Sequence, residues 1–150
     1  MLLGAFLSIT GGFIGFLLGQ FTLALVITPM QEFRKTIGEA SYILLKYRSK
    51  LTNAVIDVNI SDELKSISAK LVSSTNAISL YSLVSKIFRL PSKDDVFAAA
   101  QEMNTLYYNT LPESRAFDAQ NENGEKCNHA CKNNDAIRKI GELLKIKVSY

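Results

Sequence analysis

Residues 11–20 read GGFIGFLLGQ, four glycines inside a run that is otherwise almost wholly apolar. Glycine is a poor helix former, costing up to about 1 kcal/mol relative to alanine. Yet the surroundings leave little but a helix. Residues 2–28 hold no Asp, Glu, Lys, Arg or His, and Gln20 is the most polar of these 27 side chains. About 20 apolar residues in a helix cross a hydrocarbon layer of roughly 30 Å, so the stretch predicts a retained membrane span with some tilt. A cleaved secretory signal would place basic residues before a shorter apolar run. Here no basic side chain precedes the run, and the run is longer.

The glycines make sense on that helix. At 100° per residue, Gly4, Ser8, Gly11, Gly12, Gly15, Gly19 and Thr22 fall in one arc about 100° wide. Gly11, Gly15 and Gly19 repeat as G-x-x-x-G-x-x-x-G, a glycine zipper. Apolar side chains gain nothing by leaving lipid for one another, so membrane helices associate through close backbone approach, which small residues permit. The arc predicts an oligomerisation face. With a single span in the chain, homo-oligomerisation is the simplest use of it.

The flanks predict the orientation. Arg34, Lys35, Lys46, Arg48 and Lys50 all follow the span closely, and basic flanks stay on the cytoplasmic side. The N-terminus is then outside and the following 120 or so residues (about one small domain) are cytoplasmic. Two cysteines fit a reducing compartment. The net charge of +3 is mild and suits an anionic lipid or ligand without requiring one.

The expected fold class is all-α: an N-terminal transmembrane helix over 1–29, a juxtamembrane amphipathic helix over 30–55, and a cytoplasmic helical domain over 56–150. Pro29 lacks an amide proton and is expected to kink or end the span. Phe33, Ile37, Ala40, Leu44, Tyr47 and Leu51 are spaced 4, 3, 4, 3, 4, an a/d seam. If the helix runs straight through Pro29, that seam shares the glycine face. It then meets either a second copy or the chain's own domain. Asn59 or Ser61 is a candidate cap for the next helix, whose inner face holds Leu64, Ile67, Leu71 and Val72. A short helix covers YSLVSKIFRL up to Pro91. Ser92 and Asp95 form a capping box for a helix buried through Val96, Ala99, Ala100, Met103, Leu106 and Tyr107 and ended by Pro112. Residues 113–133 read as loop. A last helix spans about 134–147 with Ile137, Ile140, Leu144 and Val148 on one side. The terminal IKVSY has the makings of a short strand.

Little in this chain suggests catalysis. No G-x-x-x-x-G-K-[ST], G-x-G-x-x-G or H-E-x-x-H occurs, so no enzyme and no cofactor are expected. Cys127, His129 and Cys131 form C-x-H-x-C. A structural zinc site wants four ligands, and three donors this close wrap a tetrahedron poorly, so the trio reads as polar loop, with a metal site the weaker alternative. Lys86, Arg89 and Lys93 bracket KIFRLPSK, Arg48 lies nearer the span, and Asn104, Tyr107 and Tyr108 sit in NTLYYNT. Basic groups neutralise phosphate, tyrosine stacks on bases and asparagine pairs with adenine. These seven are the candidate nucleotide-binding residues. The competing reading makes Tyr107 core, the lysines solvated and the asparagines helix-end caps.

With GGFIGFLLG as anchor and a compact, mildly basic domain behind it, the chain resembles in layout the small membrane effectors of type III CRISPR antiviral defence. It is also similar in layout to single-span bacterial proteins with a stretch like FRKTIGEASYILLKY after the span. The first resemblance implies a bacterial inner-membrane oligomer whose cytoplasmic domain binds cyclic oligoadenylate and whose spans then perturb the membrane. The implied partners are membrane lipid, further copies of the chain and that second messenger, with no long nucleic acid. The alternative is a non-enzymatic oligomeric anchor or scaffold that recruits a protein partner.

Overall fold

The computed structural model describes residues 2–114 and 129–149. They are all helical, with no strand among them. The chain enters as helix α1 (Leu2–Thr22), passes through one π-helical turn (Leu23–Ile27) and continues as α2 (Thr28–Lys46). This helix is long and apolar enough to cross a membrane. Every residue from Ser8 to Leu25 is exposed.

Pro29 therefore neither ends the helix nor leaves it unchanged. Its missing amide and its ring remove an ordinary i→i−4 bond. One turn widens instead, and the amide of Thr28 donates to the carbonyl of Leu23, five residues back. A π turn holds one extra residue. It rotates everything beyond it by about 100° relative to a straight helix. The seam of α2 and the glycine arc of α1 thus do not share a face, contrary to the straight-helix expectation.

The seam packs on the chain's own bundle. Phe33, Ala40 and Leu44 are wholly buried, as is Leu51 in the short helix α3 (Arg48–Thr52), with Ile37 and Tyr47 packed at the edge. Helix α4 (Val58–Ala77) runs back antiparallel to α2, as the pairs Tyr47–Glu63 and Glu39–Lys70 show. Its cap is Asp57, not Asn59 or Ser61: the Asp57 carboxylate accepts from the amide of Asn59. The Lys50 ammonium, 2.9 Å away, holds that carboxyl below the usual range.

Helix α5 (Tyr81–Phe88) closes the end of the bundle from which α1 emerges. Helix α6 (Lys93–Asn109) then runs away from that end, opened by the Ser92–Asp95 capping box. It ends before Pro112 is reached. The last helix, α7 (His129–Leu144), starts inside the stretch expected to be loop and returns antiparallel to α6. After it, residues 146–149 form no strand. The chain reverses so that Ser41 donates to the carbonyl of Lys147 at 2.7 Å and Arg48 to that of Val148.

The result is an up-and-down arrangement of α2, α4, α6 and α7 around one core. Leu64, Ile67 and Leu71 of α4, Val96, Met103 and Leu106 of α6, and Ile137, Ile140 and Leu144 of α7 fill it. Val72 is only half-buried, and Ser68 takes an inner position, donating to the carbonyl of Ala100. Polar groups inside are paired. Asn133, fully buried, donates to the Leu51 carbonyl and accepts from Asn109, both at 2.7 Å. Among the described residues no buried side-chain nitrogen or oxygen lacks a partner.

Candidate functional site

The seven candidate nucleotide-binding residues do not gather in one place. Lys86 and Arg89 lie at the α1 end of the bundle, on or just after α5, and Lys93 opens α6 beside the Phe97 ring, 5.8 Å from its centre. Arg48 sits beyond the far end of α2 and is committed to the Val148 carbonyl. Asn104, Tyr107 and Tyr108 lie in the second half of α6, towards that far end. Tyr108 is exposed, and Tyr107, half-buried, meets it edge-on at 5.6 Å.

Two groups emerge from this distribution. The first is an open groove of about 640 Å³ between α4 and α6, lined by Lys65, Val72, Phe97, Gln101 and Asn104 among others. Lys65, which sequence reading did not select, points at Tyr107 with its ammonium 5.4 Å from the ring centre. A cation over an aromatic face is favourable by about 0.5–1 kcal/mol at an exposed site. Lys65 and the Asn104 amide make a modest polar rim beside the half-covered Tyr107 ring, and Lys93 lies over the Phe97 ring that lines the groove.

The second group surrounds α5. Phe33 and Tyr81 meet edge to face at 5.9 Å, and Arg34 donates to the Phe88 carbonyl at 3.1 Å. The Tyr81 hydroxyl donates to the Pro91 carbonyl at 2.8 Å. Burial, with the Asp95 charge adding to it, pushes the Tyr81 phenol up to about 12. Leu80 and Arg89, flanking α5, both hold left-handed backbone, a conformation that costs a non-glycine residue on the order of 1 kcal/mol.

The expected oligomerisation residues Gly4, Ser8, Gly11, Gly15, Gly19 and Thr22 are all exposed. A methyl group added at Gly4, Gly11, Gly12, Gly15 or Gly19 would meet nothing within 4 Å. The bundle therefore leaves the whole arc uncovered. Thr22 satisfies its hydroxyl locally on the Leu18 carbonyl, so its small outer surface adds no unmet polar group.

Of the cysteine loop, Cys127 lies outside the described residues. His129 and Cys131 belong to the first turn of α7; His129 Nδ1 is 3.1 Å from the Asn109 side-chain oxygen, and Cys131 is exposed. Among the described residues no three His, Cys, Asp or Glu side chains are grouped to hold a metal ion. At the far end of α2, the Tyr47 hydroxyl and then the Glu63 carboxylate hold the Lys46 ammonium above its usual range, an interaction that ties α2 to α4.

No protein-family model matches the chain, and neither does any curated protein or solved structure.

Proposed function

We propose that the chain is a single-pass membrane protein that self-associates through its span and serves as a non-enzymatic anchor, holding a helical bundle at the cytoplasmic face of a bacterial inner membrane. One observation carries the reading. A single continuous helix has an exposed, charge-free half from Ser8 to Leu25 and a half whose inner face is sunk in the bundle core at Phe33, Ala40 and Leu44. A soluble protein gains nothing from so much apolar surface in water, whereas lipid accepts it. The uncovered glycine arc supports self-association, and the basic residues that follow support a cytoplasmic bundle. The test is flotation of vesicle-reconstituted full-length protein after alkaline carbonate washing. The anchor floats with lipid; recovery in the soluble fraction would overturn it.

A second reading keeps the antiviral-effector role, with cyclic oligoadenylate triggering a rearrangement of the spans. The feature that favours it is the α4–α6 groove, where Lys65 and Asn104 offer charge and an amide, with the Tyr107 ring beside Lys65. Full-length protein in detergent, titrated with cyclic oligoadenylates at two salt concentrations, tests it. Binding that weakens with salt and is lost in Lys65→Glu supports this role. Absence of binding at micromolar ligand leaves the anchor.

A further inference from the structure

We infer that α5 is an interfacial helix that rests on the lipid surface beside the span, with Leu80, Leu83 and Ile87 dipping below the headgroups. The inference rests on the anchor reading. Its observations are separate ones.

Helix α5 has two apolar stripes. Tyr81, Val84 and Phe88 face the bundle, the first two buried. Leu83 and Ile87, one turn apart, form the other, with Leu80 beside them on the residue that precedes the helix; Leu80, Leu83 and Ile87 are 72%, 56% and 65% exposed. Ser82, Ser85 and Lys86 take the remaining side. Two exposed aliphatic side chains on an eight-residue helix, with a third on the residue before it, are costly to leave in water.

Position says what covers them. The stripe lies at the end of the bundle from which α1 emerges. Phe33 and Arg34 bind α5 directly, and Val26, still within the apolar run, packs against the bundle core. From Ile27 to Phe33 is about 9 Å of helix, and the headgroup layer beyond the hydrocarbon is about 5–8 Å deep on each side. A helix held at that level by Phe33 reaches the acyl boundary with its side chains, the depth at which amphipathic interfacial helices lie. Charge agrees with position. Lys86 and Arg89 flank the stripe, and Arg34 and Lys35 are on the neighbouring turn of α2, each suited to anionic lipid phosphates. The left-handed backbone at Leu80 and Arg89 fixes how this helix is presented, and an exposed leucine held so is unusual enough to expect a use for it.

The test places an environment-sensitive fluorophore on single cysteines in a Cys127→Ser, Cys131→Ser background of the full-length protein. The sites are Leu83→Cys, Phe16→Cys within the span and Asn59→Cys at the far end of the bundle. Each is reconstituted into vesicles of phosphatidylglycerol and phosphatidylcholine containing nitroxide-labelled lipid. The label at 83 should be quenched at least about twofold more than that at 59, as expected of an interfacial apolar position. The label at 16 should be quenched most. Adding Lys86→Gln and Arg89→Asn, the latter tolerant of left-handed backbone, should reduce quenching at 83 and leave 16 unchanged. Quenching at 16 with none at 83 overturns the inference while sparing the anchor. Loss at both sites removes the anchor and the inference together. Self-quenching at 83 without lipid quenching assigns the stripe to a second copy and also overturns it.

Discussion

Arg34 donates from Nη2 to the carbonyl oxygen of Phe88, 54 residues further along the chain, at 3.1 Å. The bond satisfies a carbonyl at the C-terminal end of α5 with a cation, the partner its dipole favours. It also fastens the first charged turns after the apolar run to the helix that closes that end of the bundle. Together with Phe33 against Tyr81, it makes the apolar run and the bundle one mechanical unit.

Phe33→Ala should cost about 3–5 kcal/mol, the usual range for deleting a buried phenylalanine, because its side chain is wholly buried and holds Tyr81 edge-on. Denaturant melts of the full chain in detergent should show it. A loss below 1 kcal/mol would mean that α2 is not part of the core.

Asn133→Ala removes one of the donors to the Leu51 carbonyl, which keeps the Ala54 amide, and takes away the acceptor that the Asn109 amide uses. A polar group left without its partner in such a site costs about 1–3 kcal/mol. Thermal denaturation followed by circular dichroism should show a clear drop in midpoint, larger than for an Asn76→Ala change on the exposed side of α4.

Tyr81 gives the fold a dependence on alkaline pH. Its folded value, about 12, lies above the free phenol value of about 10. A raised value means that the neutral form is favoured in the fold. The associated stability is fully present below pH 10 and is lost as pH rises through 12. Tyr81→Phe should flatten the fall in stability over that window. An unchanged slope would show that the phenol is not held as described.

Gly15→Leu should shift the detergent-solubilised protein towards smaller species in analytical ultracentrifugation. No atom of the same chain lies near enough to clash with an added methyl group, and leucine is the better helix former. A change therefore reports association between copies, not folding. Phe16→Leu, outside the arc, is the control. Equal distributions for the two variants would remove the glycine face from the account.

Much of the fold was legible because its signals are local or periodic. The Ser92–Asp95 capping box, the buried positions of α6 and the spacing of Phe33, Ala40, Leu44 and Leu51 all read directly from sequence. The π turn did not. Pro29 announces a lost hydrogen bond, but whether the helix breaks or widens depends on Met30 and Phe33 being held in the core beyond it. The start of α7 was missed because HACKNNDA has few apolar residues, and its inward residue there is Asn133, which declares itself as core only through its partners. For the candidate site, sequence supplied suitable residue types and no placement. Arg48 turned out to bind the C-terminal segment, and Lys65 reached Tyr107 from another helix. The outward stripe of α5 was visible as apolar letters, yet nothing local distinguishes Leu83 from its buried neighbour Val84.

The central claim is a span with the bundle on the cytoplasmic side, and the thiol of Cys131 tests it most directly. This thiol is exposed on α7, and Cys127→Ser makes it the sole cysteine. Cells expressing that variant are treated with a membrane-impermeant maleimide before and after permeabilisation, and carbonate-washed membranes are assayed for label. The account predicts label in the membrane fraction only after permeabilisation. Label acquired by intact cells, or labelled protein released from the membranes by carbonate, would contradict it.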